Sequence, residues 1–164
     1  MWNRHRTKKQ MRIGISLLLF LATMNTWSQS SDIKKKQITI NGIEVLGVQK
    51  AVLISHFGKP ITTNDFYFEM NDENGKIYIY EGAKFFIQND LIDSFEVTDQ
   101  KFELTNHKIR IGDKISTLAD VFPDCYLNRK NSGLQLEISE ADLYVVISYG
   151  SIDEKITKFA IYNF

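Results

Sequence analysis

Hydrophobic residues change their spacing along this chain, and each change predicts a different element. Near the start, Ile13 to Thr23 reads IGISLLLFLAT, an apolar run with no polar face. Further on, Val48, Ala51, Val52, Leu53 and Phe57 stand at helical spacing, which predicts a helix over 48–57. Gly58 and then Pro60 stop it. Strict alternation follows and predicts strands over 66–70, 76–81, 83–88 and 91–97, with Asn74-Gly75 and Asn89-Asp90 as hairpin turns.

The pattern then starts again. Ser116 is a good N-cap, and Leu118, Val121 and Phe122 stand at i, i+3 and i+4, so a second helix is expected from about Ser116 until Pro123 ends it. Strands are expected over 133–139, 142–149 and 155–162, with a weaker one near Tyr126. Leu53-x-x-x-Phe57-Gly58 and Leu118-x-x-x-Phe122-Pro123 lie 65 residues apart, and each follows a short extended piece with a Gly turn, Ile38 to Gly42 and Ile109 to Asp113. This reads as one motif used twice. The expected fold is α+β: two tandem repeats, each a short helix packed on an antiparallel β-meander. The divisions are 1–28, 29–36, 37–99 and 100–164: a signal peptide, a flexible leader, and the two repeats.

Residues 1–28 hold Arg4, Arg6, Lys8, Lys9 and Arg12 and no acidic residue, although the whole chain balances 20 basic against 20 acidic residues. A basic stretch, an apolar run shorter than the roughly 20 residues a membrane-spanning helix needs, and a small-x-small site at Thr26 and Ser28 describe an export signal. Cleavage is placed after Ser28, with Ser30 as the other choice, and the start at Met1 or Met11. The remaining chain is acidic, which argues against a nucleic-acid partner. It carries no second long apolar run, so an exported chain without a transmembrane segment is expected, periplasmic or extracellular.

The pattern Ile-x-Ile-Gly-Asp at 109–113, the helix, Phe57-Gly58-Lys59-Pro60 and a meander including Ile77-Tyr78-Ile79-Tyr80-Glu81-Gly82 resembles the BamE/SmpA-type fold. Its tandem form is similar to that of the β-lactamase inhibitory protein. The resemblance covers about 38–164 and implies a helical layer on an antiparallel sheet used for protein binding rather than chemistry. It supplies no catalytic residues.

Strand alternation sorts the side chains into two faces. One takes Phe66, Phe68, Ile77, Ile79, Phe85, Ile87, Phe95 and the aliphatic positions of the later strands, and is expected to lie beneath the helices. The other, expected to be open, takes Tyr67, Tyr78, Tyr80, Phe86, Tyr144 and Tyr162, the candidate partner-binding residues. Tyr offers stiff contact area with a polar tip, which suits an interface. The same residues also favour strands without any ligand.

Catalytic and metal constellations are missing from the spacing. Cys125 is alone, so no internal disulfide forms, and its neighbours Pro123 and Asp124 do nothing to favour a thiolate; a buried structural thiol is expected. His56 and His107 lack a second His or a Cys at ligand spacing. Asp72-Glu73-Asn74-Gly75 lacks the alternating ligands of a calcium loop and is read as a turn. The sequence therefore points to a non-enzymatic binding protein that needs no cofactor or metal and docks a protein on a Tyr-rich sheet face, its oligomeric state open. The alternatives are a small hydrolase or lyase with a cleft between the repeats, and a self-assembling envelope subunit.

Overall fold

The computed structural model describes residues 32–163. The expected export signal and cleavage site lie outside the described residues. Among those described, no helix is long and apolar enough to cross a membrane.

Strands dominate. One eight-stranded sheet is built from β1 (Asp32–Ile33), β4 (Thr62–Phe68), β5 (Glu73–Tyr80), β6 (Ala83–Gln88), β7 (Leu91–Val97), β10 (Gly133–Ile138), β11 (Tyr144–Tyr149) and β12 (Ile156–Ile161). Its order is β1-β10-β11-β12-β7-β6-β5-β4. All neighbours are antiparallel except β1, which runs parallel to β10. A second sheet of four short strands has the order β3-β2-β8-β9, from β2 (Thr39–Ile40), β3 (Ile43–Glu44), β8 (Glu103–Leu104) and β9 (Ile109–Arg110).

This corrects the expected α+β architecture of two helix-on-meander repeats. The β7–β12 pairing, with Phe95 opposite Ile161 and Val97 opposite Phe159, fuses both halves into one sheet. The halves are also unequal. The first gives the large sheet four antiparallel strands and adds one helix, α1 (Lys50–Phe57). The second gives the large sheet three strands and adds a 3-10 turn (Ile115–Leu118) and a separate short helix, α2 (Pro123–Leu127). Pro123 begins α2 instead of ending a helix. Its missing N–H costs nothing at the first helical position, where no intrahelical partner is needed. The region of Tyr126, expected as a weak strand, lies inside α2. Within the segment expected as a flexible leader, 29–36, the described residues hold β1 and the start of a 3-10 turn (Lys35–Gln37).

The core lies between the large sheet and a layer formed by α1, the 3-10 turn at Ile115–Leu118 and the small sheet. Ile38, Ile40, Leu53, Leu104, Ile115 and Leu118 meet Phe85, Phe95, Leu136, Ile147 and Phe159, all of them fully buried. The aromatic stack Phe57–Phe85–Phe95, with ring centroids 5.9 and 6.4 Å apart, joins α1 to the middle of the sheet. Gly58, at φ +79°, ends α1 and donates its N–H to Ile54.

Candidate functional site

Because α1, the 3-10 turn at Ile115–Leu118 and the small sheet pack on one face, the other face of the large sheet carries none of these elements among the described residues and is termed the open face. Alternation decides which side chains it carries. In β10 to β12 the alternation holds as expected. Leu134, Leu136, Val145, Ile147, Phe159 and Ile161 point inward and are buried; Gln135, Glu137, Tyr144 and Tyr162 are exposed.

In β4 and β5 the faces are exchanged. Asn74-Gly75 is not the turn. The chain turns at 69–72, with Asp72 in the left-handed region at φ +54°, and Asn74 and Gly75 are already strand. The pairing that results sets Tyr78 opposite Phe85 and Ile77 opposite Phe86. A strand moved by one position turns every side chain over. Tyr78 and Tyr80 therefore point beneath the helical layer, with 8% and 9% of their surface exposed, and belong to the core. The Tyr80 hydroxyl donates to the Gly58 carbonyl at 3.0 Å, its ring meets Phe57 and Phe85 edge-on, and burial pushes its ionisation up. Ile77 and Ile79 take their place on the open face, half-buried.

The remaining expected site residues are dispersed. Phe86 points to the open face but is buried, its ring 5.1 Å from that of Phe66, which in turn meets Phe68 at 4.9 Å. Phe68 lies against Gly75, where a β-carbon would come within 2.4 Å of its ring. An aromatic ring thus covers the bare glycine in mid-strand. Tyr67 shares the helix-side face with Tyr78 but sits at the corner of the sheet, exposed, donating its hydroxyl to Asp72. Tyr144 and Tyr162 are on the open face, 43% and 40% exposed.

Around Tyr162 lies a group that the sequence alone does not assemble. Its hydroxyl donates to Glu96 Oε2 at 2.8 Å and accepts from Lys158 Nζ at 3.0 Å. Lys84 Nζ reaches Glu96 Oε1 at 3.3 Å, and Lys158 stands 3.8 Å from the same carboxylate. Burial pushes Glu96 up. The Tyr162 hydroxyl and the two ammonium groups outweigh it and hold the carboxyl below its usual range. Four strands contribute to the area: Ile77 and Ile79 from β5, Lys84 from β6, Glu96 from β7, and Lys158 from β12, with Tyr162 just beyond its end. The signal available in the sequence was the alternation itself; the cross-strand order was not available.

A second feature, also missed from sequence, is a half-open groove of about 550 Å³ where α2 meets the outer side of β10 and β11. Asp124, Cys125 and Asn128 form one wall, and Gln135, Glu137, Tyr144 and Val146 the other. Cys125 is partly buried here. Burial raises its thiol, and the carboxylates of Asp124, Asp32 and Glu137 raise it further, so the thiolate is disfavoured. His56 is exposed on α1 against Phe57, and His107 is exposed against Phe122. No group of three or more His, Cys, Asp and Glu side chains is placed to hold a metal among the described residues.

No family model matches the chain, and no curated protein matches it. Among solved structures, it is similar to an extracellular protein containing a SCP domain from Bacillus anthracis str. Ames, at 11% identity and a TM-score of 0.56. It also matches a cysteine-rich secretory protein from Staphylococcus aureus subsp. aureus Mu50, at 12% identity and a TM-score of 0.48. In both, the match covers 80% of this chain and 49% of the other, so the chain spans about half the length of these proteins. At such identity the first likeness shows a shared fold. It overturns the resemblance to BamE/SmpA-type and β-lactamase inhibitory protein-like repeats, which rested on short motifs around Pro60 and Gly112 that many helix ends and turns share.

Proposed function

We propose that this chain is an exported, non-enzymatic binding protein that holds a protein partner on the open face of its eight-stranded sheet. The observation that carries the reading is the centre of that face. Exposed Tyr162 and half-buried Ile77 and Ile79 lie beside a preformed Lys84–Glu96–Lys158 cluster, on a sheet whose other face is filled. Apolar contact area with ordered charges beside it is the composition of a docking patch, and a rigid sheet loses little freedom on binding. Two lysines against one glutamate leave the patch positive, which favours an acidic spot on the partner. Export is supported by the basic and apolar segment before residue 28 and by the description of the Bacillus anthracis protein as extracellular.

The test is capture from envelope extract with the exported protein as bait. The double variant Ile79→Ala/Tyr162→Ala should lose the captured partner by about tenfold or more, in keeping with the removal of interface anchors. Tyr80→Phe, which alters only the covered face, should retain it. Equal capture by both variants would remove the open face from the reading.

A further inference from the structure

The groove between α2 and the outer side of β10–β11 has a chemistry unlike the rest of the open face. Its charges cancel: Asp124 and Glu137 against Arg129 and Lys130. A strongly charged ligand of either sign would meet like charge there. Between these ions stand two carboxamides, Asn128 from the end of α2 and Gln135 from β10. Each carboxamide donates and accepts in one plane, which matches a hydroxyl group that also does both. Tyr144, opposite Glu137 in the β10–β11 pairing and 43% exposed, lines the same groove and offers a flat apolar surface with a polar tip.

The groove is also held in shape. The Arg129 guanidinium lies 3.9 Å over the Tyr126 ring and donates to the Tyr126 carbonyl at 2.7 Å. Lys130 and Gly133 exchange backbone hydrogen bonds at 2.9 and 3.0 Å, and the Tyr149 hydroxyl ties down the Lys130 carbonyl at 2.8 Å. A floor fixed before the ligand arrives lowers the ordering cost of binding. Few convergent polar groups around an apolar platform is the general form of a small-ligand site.

From this arrangement we infer that the groove binds a neutral, polyhydroxylated ligand, a saccharide unit, stacked on Tyr144 and hydrogen-bonded by Asn128, Gln135 and the flanking carboxylates of Asp124 and Glu137. Its half-open form admits a residue within a longer glycan as well as a chain end. The inference does not depend on the protein partner, because the docking patch centres on Glu96 and Tyr162.

The experiment is a titration of the isotope-labelled exported protein with chitobiose, cellobiose and maltose in turn, followed by amide resonances. At least one disaccharide should shift the resonances of Asn128, Gln135 and Tyr144 in a saturable way. Tyr144→Ala should weaken that binding by about tenfold or more, and Gln135→Ala should weaken it less. Tyr162→Ala should leave it unchanged, which keeps this site separate from the docking patch. Tyr144 is exposed, so its loss leaves folding intact, and the amide spectrum of the variant reports this directly. No shift with any of the three sugars overturns the inference. So do shifts that survive Tyr144→Ala, and so does a tryptic peptide mixture that shifts these resonances when the sugars do not.

Discussion

The two faces of the large sheet both carry aromatic rings, but they use them differently. On the covered face Phe85, Phe95, Phe159 and Tyr80 are closed over by α1 and the small sheet, and the one phenol among them has its hydroxyl satisfied by Gly58. On the open face the rings of Phe66, Phe68 and Phe86 meet at one end, while Tyr144 and Tyr162 are 43% and 40% exposed. The contrast teaches that the kind of aromatic residue does not reveal its face. Tyr78 and Tyr80 are core residues; Phe66, Phe68 and Phe86 are not part of that core. Among the described residues, what separates the faces is that α1 and the small sheet pack on one of them.

The contrast can be sharpened by substitution. Phe85→Ala, in the centre of the covered face, should cost about 3–5 kcal/mol of unfolding free energy, because it leaves a cavity among Phe57, Tyr80 and Phe95. Chemical denaturation would measure it, and a loss below about 1 kcal/mol would contradict the packing described. Gly75→Ala should cost about 1–3 kcal/mol, the usual range for overpacking, since the new methyl group would lie 2.3 Å from the Ile87 carbonyl and 2.4 Å from the Phe68 ring. An unchanged midpoint would show that Asn74-Gly75 is not within the strand.

That last position also marks where the sequence stopped being legible. The strands over 83–88 and 91–97 were readable from alternation to the residue, and the inward set of β10 to β12 was correct. Asn74-Gly75 is the commonest of tight-turn signals, yet here the turn falls four residues earlier because Phe68 packs over Gly75 and Asp72 accepts the left-handed conformation. One misplaced turn reversed the face of Tyr78 and Tyr80. Pro123 misled in a similar way, since the same residue can close one helix or open the next. Of the candidate site, Tyr144 and Tyr162 were legible from alternation. The Glu96 cluster and the α2 groove were not, because each joins residues far apart in sequence.

Smaller effects follow on each face. Tyr80→Phe should cost about 0.5–1.5 kcal/mol through the bond to Gly58, without altering partner capture. On the open face, Glu96 is held below its ordinary ionisation, so the folded state gains stability at pH above the unfolded carboxyl value, about 4.3. That gain is lost as pH falls through the lower folded value. Glu96→Gln should flatten the fall in unfolding free energy at acid pH, measured by chemical denaturation, by under about 1 kcal/mol, the scale of a partly exposed ion pair. An identical acid profile in the two proteins would show that the Lys84–Glu96–Lys158 cluster is not formed.

The claim that the open sheet face is the working face is tested most directly by site-specific photo-crosslinking in the producing cell. With p-benzoylphenylalanine in place of Lys84, on the open face, irradiation should give a discrete heavier adduct; in place of Ser55, exposed on α1, it should give none. An adduct from position 55 with none from position 84 would place the partner on the helical side and contradict the account.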